Sequence, residues 1–378
     1  DKWIWSGDAY QSFFVNRYLM ADADIDQRTI LALRGNDPMT KHINTIVDYS
    51  LLWLLGVDYH NEGYVDREFL ELVYPKMVSL MDFCNGRREE HGFLIRKEKD
   101  WVYIDWADMD KDGPLCAEQM LYAACFRVMA EISKQLGKDG NVYRQEYEKL
   151  TAAIEKFFWD EEKGAYIDSF TSGKRNVTRH ANIFAILFDI ADKQKQEKIL
   201  TNVLENDEIP AITTPYFNFF ELDVLCQMGK LTEVLDKIRS YWGGMLDLGA
   251  VTFWEEYDPS VPKEEQYDMY GDHFGKSLCH AWAASPIYFL AKYFAGLDLV
   301  NKDGVTYVLK PQMQYFTDLD CTLPVGSDGT VRLAWDGECL EVTADAEGGV
   351  LELGEEKISL VRGETRREIL TETGLADA

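Results

Sequence analysis

The sequence has 378 residues, 46% hydrophobic and 28% charged, enough apolar chain for one large core or two ordinary domains. Acids outnumber bases 66 to 39, and a net charge of −27 disfavours nucleic acid and uronic-acid polymers as partners. No apolar run approaches the roughly 18 residues of a membrane span, and seven scattered cysteines and six dispersed histidines offer neither a disulfide framework nor metal-ligand spacing, so no metal or other cofactor is expected.

The chain opens on DKWIWSGDAYQSF, which crowds two tryptophans and two aspartates into eight residues. From there to about Leu297 the texture is helical, with apolar residues at three-and-four spacing. About eleven helical candidates follow, among them 9–33, 40–55, 66–85, 115–136, 142–158, 179–191, 193–204, 215–228, 230–242 and 277–296. Gly56, Gly86, Gly137 and Gly229 read as helix stops. Short turns alternate with long acidic and aromatic segments at 92–114, 159–178, 205–214 and 243–276. That alternation fits helical hairpins stacked round a ring with the long loops at one end. Six hairpins need twelve helices, so the first is expected upstream of residue 1.

Past residue 300, TVRLAWDG, CLEVTAD and GVLELGEEKISLV alternate apolar and polar residues between DG, GG and GE turns, as strands do. The expected architecture is mainly α: an (α/α)6 toroid over 1–298 followed by a small C-terminal β-sandwich over 299–378. The closing RGETRREILTETGLADA is polar and is expected to fray.

Three stretches echo the opening: KDWVYIDWADMDKDG at 99–113, SYWGGMLDLGAVTFWEEYD at 240–258 and HFGKSLCHAW at 273–282. Each sets tryptophan beside carboxylates or histidine, in or next to a long loop. Flat aromatic faces suit the C–H face of a sugar ring, and carboxylates accept from its hydroxyls, so the conjunction points to a carbohydrate site. Lys2, Lys99 and Lys276 are the few bases in these clusters, which favours a neutral or deoxy sugar over a uronate and a hydrolase over a lyase. Glycoside cleavage needs two carboxyl groups across the scissile bond. Glu255 follows Trp254, whose ring can desolvate it; Glu256 is the alternative, and in extended chain only one of the two can enter a pocket. Trp5 and Asp8 share a face if helix has begun there, with Asp1 seven residues earlier. Tyr49 and Trp53 read as core, and His180 and Asn182 as capping residues or substrate contacts.

In order, WSGDA, DYSLLWLLG, IDWADMD, TPYFNFFELDVL, GAVTFWEEYD and SLCHAW resemble the α-L-rhamnosidases of glycoside hydrolase family 78. The resemblance implies an (α/α)6 catalytic barrel with a C-terminal β-sandwich, and an inverting hydrolase that releases terminal α-L-rhamnose from glycans or glycosides. It implies Glu255 as general base and Asp1 as general acid, where the family usually has Glu. Substrate contacts would come from Asp8, Trp5, Asp105, Trp106, Asp108, Trp254 and His280. Cys279 stands where the family commonly has Asn. The implied partner is a rhamnose-containing carbohydrate, and the chemistry leaves export favoured over a cytoplasmic location. Rival readings are another neutral-sugar glycosidase on the same barrel and a catalytically impaired sugar-binding relic or fragment.

Overall fold

The computed structural model describes residues 4–302, 304–327, 329–371 and 374–375. Its helices fall into two sets by residue pattern. Helices α1 (Ser6–Leu19), α3 (Val47–Tyr64), α5 (Cys116–Gln135), α7 (Arg179–Leu187) and α9 (Pro215–Gln227) are buried round most of their circumference. A helix that is apolar nearly all round must be enclosed on all sides. Helices α2 (Ala23–Arg34), α4 (Arg67–Asn85), α6 (Asn141–Phe158), α8 (Lys193–Ile199) and α10 (Leu231–Asp247) bury one stripe and expose a charged face.

The first set forms an inner ring in which each helix packs on the next from α1 round to α9. The segment 281–294, containing α11 (Pro286–Phe289), closes the ring between α9 and α1. Each helix of the second set lies outside an inner neighbour. Among the described residues the toroid therefore has six inner and five outer positions. Side-chain caps start four of the helices: Asp22, Asp66, Asp192 and Thr214 each accept from a backbone N–H three residues on. Cys84, Cys116 and Cys125 are fully buried in this core as small apolar groups.

The structure corrects several element boundaries. The helix expected over 9–33 is two helices, because Ala21 takes φ 52° and Asp22 caps α2 while the Asn16 amide donates to the Asp22 carbonyl at 2.8 Å. Gly56 is not a stop. It lies inside α3, where a Cβ would fall 2.9 Å from the Phe13 ring, so its role is to let α1 and α3 approach. The helix expected over 277–296 begins only at Pro286; residues before it form an irregular turn and one short 3-10 segment.

A two-residue pairing of β1 (Trp159–Asp160) with β2 (Ala165–Tyr166) follows α6. The remaining strands are β3 (Leu297–Lys302), β4 (Val305–Leu309), β5 (Leu319–Pro324), β6 (Thr330–Trp335), β7 (Cys339–Ala344), β8 (Gly349–Leu353), β9 (Glu356–Leu360), β10 (Thr365–Thr371) and β11 (Gly374–Leu375). They form a five-stranded sheet in the order β11-β10-β7-β6-β5 and a four-stranded sheet in the order β3-β4-β8-β9. Alternate residues of β6 and β7 (Val331, Leu333, Leu340, Val342, Ala344) are buried, the period-two pattern of a half-buried sheet. Part of the tail expected to fray is β10, paired antiparallel with β7 and tied by Arg367 to Glu341 at 2.7 Å. Helical and strand residues share one continuous core, and Phe294 meets Tyr315 and Phe316 edge-on at the junction.

Candidate active site

The long loops precede the inner helices, so they and the helix N-termini surround one end of the ring. There a cavity of about 500 Å³ opens. Trp5 and Asp8 enter it from the start of α1, and Ile46 and Tyr49 from the start of α3. Trp101, Tyr103 and Trp106 come from the loop before α5. Glu255, Tyr270, Gly275, Ser277, His280 and Trp282 come from the long connection before α11. Helix N-termini favour negative charge, which suits carboxylates at this end of the ring.

Glu255 is 4% exposed and held from several sides. Its Oε1 accepts from the Tyr270 hydroxyl at 2.6 Å, and its Oε2 accepts from the Ser277 backbone N–H at 2.9 Å. Its own N–H donates to the Ser277 carbonyl, and its carbonyl accepts from Trp282 Nε1 at 2.9 Å. The neighbouring Glu256 is drawn off by Lys276 at 3.7 Å, so of the two adjacent acids Glu255 alone lines the cavity. His280 bridges the two lining carboxylates: Nε2 lies 3.1 Å from Asp8 Oδ1 and Nδ1 lies 3.8 Å from Glu255 Oε2. The His280 backbone N–H donates to the Phe253 carbonyl at 2.8 Å, which fixes the turn carrying the imidazole.

Aromatic rings make the remaining wall. Tyr103 stacks parallel to Trp282, and Trp106 meets both edge-on. The buried Tyr103 hydroxyl has no hydrogen-bond partner among the described residues. Burial first, then the Asp105 carboxylate, raise the Tyr103 phenol above its usual pKa; burial and Asp8 do the same to Tyr49. Both therefore stay protonated donors at any working pH.

Behind this wall lies a supporting layer. Asp48, fully buried at the start of α3, accepts from the N–H groups of Tyr103 and Ile104 at 2.8 and 3.0 Å, fixing the loop. Burial pushes its carboxyl up to about 6, and those two backbone donors oppose the shift. Asp105 accepts from Thr214 Oγ1 at 2.6 Å and from the Trp106 N–H at 2.9 Å, and its other oxygen lies 3.0 Å from His180 Nε2. Gly7 sits where a Cβ would fall 2.4 Å from the Tyr49 ring, so WSGD needs its glycine for close packing.

The structure thus brings together Glu255, Asp8, Trp5, Trp106 and His280. It sets three other candidates apart from the cavity wall. Asp105 is buried in the layer behind it, Asp108 is exposed, and Trp254 is buried against Tyr267. Asp1 lies outside the described residues. Of the two residues read as caps or substrate contacts, His180 is the partner of Asp105 and Asn182 exchanges hydrogen bonds with the Tyr166 backbone. Tyr49, read as core, is buried and also faces the cavity. Tyr103, Tyr270 and Ser277 were not singled out from sequence. Tyrosine is common in this chain, with 20 copies, and Ser277 contributes through its backbone, so neither carries a compositional signal. Among the described residues no group of three or more His, Cys, Asp or Glu side chains could hold a metal, and no helix is long and apolar enough to cross a membrane.

The model of the bacterial alpha-L-rhamnosidase 6 hairpin glycosidase domain matches residues 39–294, more than half of the chain. The chain belongs to that family. The matched residues take in the helical ring from α3 to the segment that holds α11. Among solved structures, the GH78 family rhamnosidase of Bacillus sp. GL1 superposes over 95% of this chain with a TM-score of 0.80 at 21% identity. The Klebsiella oxytoca rhamnosidase with rhamnose bound covers 78% at 26% identity and TM-score 0.67. The Streptomyces avermitilis alpha-L-rhamnosidase complexed with L-rhamnose covers 92% at 16% identity and TM-score 0.68. The chain spans 40%, 58% and 34% of those three proteins' own lengths. No curated protein matches the chain.

Proposed function

We propose that this rhamnosidase-family chain hydrolyses terminal α-L-rhamnosides with inversion at the anomeric carbon. The observation that carries the reading is Glu255: a carboxylate held at both oxygens, on the wall of an aromatic cavity, beside a second carboxylate bridged to it by His280. In this reading Glu255 takes a proton from a water whose oxygen attacks the anomeric carbon. The glycosidic C–O bond breaks, and Asp1 gives its proton to the leaving oxygen. Asp8 and His280 accept from and donate to ring hydroxyls, and Trp5 and Trp106 flank the ring. Asp105 acts one layer back by holding Trp106, and Asp108 and Trp254 would contribute through the surrounding loops. Inversion needs room for the water, so the Asp1 and Glu255 carboxyls are expected roughly 6.5–9.5 Å apart. Among the described residues the lining is acidic and aromatic with no Lys or Arg, which supports an uncharged sugar.

A panel of aryl glycosides tests the substrate class. Turnover of the α-L-rhamnoside ahead of other neutral glycosides is expected. Turnover of a different neutral sugar alone would favour the other-glycosidase reading. Calorimetric binding of rhamnose without hydrolysis of any member would identify a sugar-binding relic.

A further inference from the structure

Tyr270 sits in a tight turn closed by mutual backbone hydrogen bonds between Met269 and Asp272 at 2.9 and 3.0 Å. The two central residues, Tyr270 and Gly271, both have positive φ, 55° and 79°. That is the pattern of a type I′ turn, whose first central position favours Asn, Asp or Gly and strains a bulky residue. Tyr270 is also 72% exposed, so core packing does not call for an aromatic ring there. The turn itself is built to stay put: Gly275 lies where a Cβ would come 2.1 Å from the Met269 carbonyl oxygen, so the chain folds back tightly on its base. What the tyrosine does from this position is donate its hydroxyl to Glu255 Oε1 at 2.6 Å and present its ring edge-on to Trp106 with centroids 6.2 Å apart.

We infer that Tyr270 is a positioning residue for Glu255, reaching from an exposed turn to fix the carboxylate plane and to cap the cavity over Trp106. The inference deepens the proposed hydrolysis and rests on Glu255 being its base. With Ser277 N–H on Oε2 and Tyr270 on Oε1, the carboxylate cannot rotate, and each oxygen keeps a further lone pair for an attacking water. Other groups facing Glu255 are His280 at 3.8 Å, which also faces Asp8, and the adjacent Glu256–Lys276 pair. The exposed residue's hydroxyl end is turned towards the protein, whose desolvation of it and then the hydrogen bond to Glu255 hold the Tyr270 phenol above its usual pKa, so it remains a donor across the working range.

The test compares Tyr270→Phe, Tyr270→Ala and Glu255→Gln on an aryl α-L-rhamnoside across pH. Tyr270→Phe keeps the ring and loses the hydroxyl. Its kcat should fall about ten- to a hundredfold, the worth of a hydrogen bond to a charged group, with KM unchanged. The acid limb of its pH–rate profile should move to higher pH, because a carboxylate that loses a donor holds its proton more tightly. Tyr270→Ala should raise KM as well, since the ring over Trp106 is gone. A Tyr270→Phe variant with wild-type kcat and an unmoved acid limb, while Glu255→Gln is inactive, would overturn the inference and leave the base assignment standing. A fully active Glu255→Gln would instead remove the base reading, and this inference with it.

Discussion

At the scale of single residues, Gly7 shows how the site dictates sequence. It lies in the first turn of α1 with ordinary helical backbone, where Gly→Ala would normally gain about 1 kcal/mol of helix propensity. Here the added methyl would meet the Tyr49 ring at 2.4 Å and the Tyr216 hydroxyl at 2.8 Å. Both rings are almost fully buried and have nowhere to go. Overpacking of about 1–3 kcal/mol should therefore outweigh the propensity gain. Gly7→Ala is expected to lower Tm in a thermal melt and, because Tyr49 lines the cavity, to reduce turnover; a Tm at or above that of the unmodified chain would contradict the packing account. The same scale separates what sequence displayed from what it hid. Glu255 was legible because tryptophan and two acids stand together in VTFWEEYD and because the stretch resembles a known one. Only the Lys276 contact shows why Glu256 is the one turned aside. Asp105 stood out as an acid beside a tryptophan, yet its partners His180 and Thr214 are 75 and 109 residues away, and no local pattern announces a contact of that length.

At the scale of elements, helix type was readable and helix ends were less so. α4, α5 and α6 lie within a residue or two of their expected bounds, since their periodic runs end at clear stops. The break between α1 and α2 depends on one backbone inversion at Ala21 and one cap at Asp22, which a continuous periodic run conceals. The turn before α11 was mistaken for helix because SLCHAW is apolar enough to pass, although its irregular path is what presents Ser277 and His280. Element packing also sets a pH dependence. Asp58 on α3 is half-buried, with Glu62 one turn on and Glu131 on α5. Burial first, then those two acids, push its carboxyl up to about 7, against the pull of Arg127. Its unfolded value is near 3.9, so between about pH 4 and 7 the folded state binds more protons, and stability at this site falls as pH rises through that window. Asn imitates the protonated form. Asp58→Asn should raise stability by roughly 1–3 kcal/mol at pH 8 and by much less near pH 5. Calorimetric melts at both pH values check this, and a variant less stable at pH 8, or a gap that does not change with pH, would refute it.

At the scale of the whole molecule, the ring explains why distant stretches of sequence make one site. Among the described residues the five inner helices and the closing segment 281–294 start at the same end, so the loops before α5 and α11 and the first turns of α1 and α3 converge although they span residues 5 to 282. The alternation of short and long connections was visible in the sequence and follows from that geometry: short turns close one end, and long loops build the chemistry at the other. The pairing of sheets after residue 297 was visible as alternation, whereas the parallel contact of β4 with β8 was not, because register between non-adjacent strands is set by packing. The net charge of −27 bears on partners rather than on fold. It leaves the acidic, aromatic-lined cavity as the place where function is concentrated. The central claim is that Glu255 activates water there. The most direct measurement is the turnover of an aryl α-L-rhamnoside by Glu255→Gln beside the unmodified chain, with folding of both verified by circular dichroism. A loss of roughly 10²–10⁴-fold in kcat with the fold intact is the expected result for removal of a general base. Turnover equal to that of the unmodified chain would contradict it.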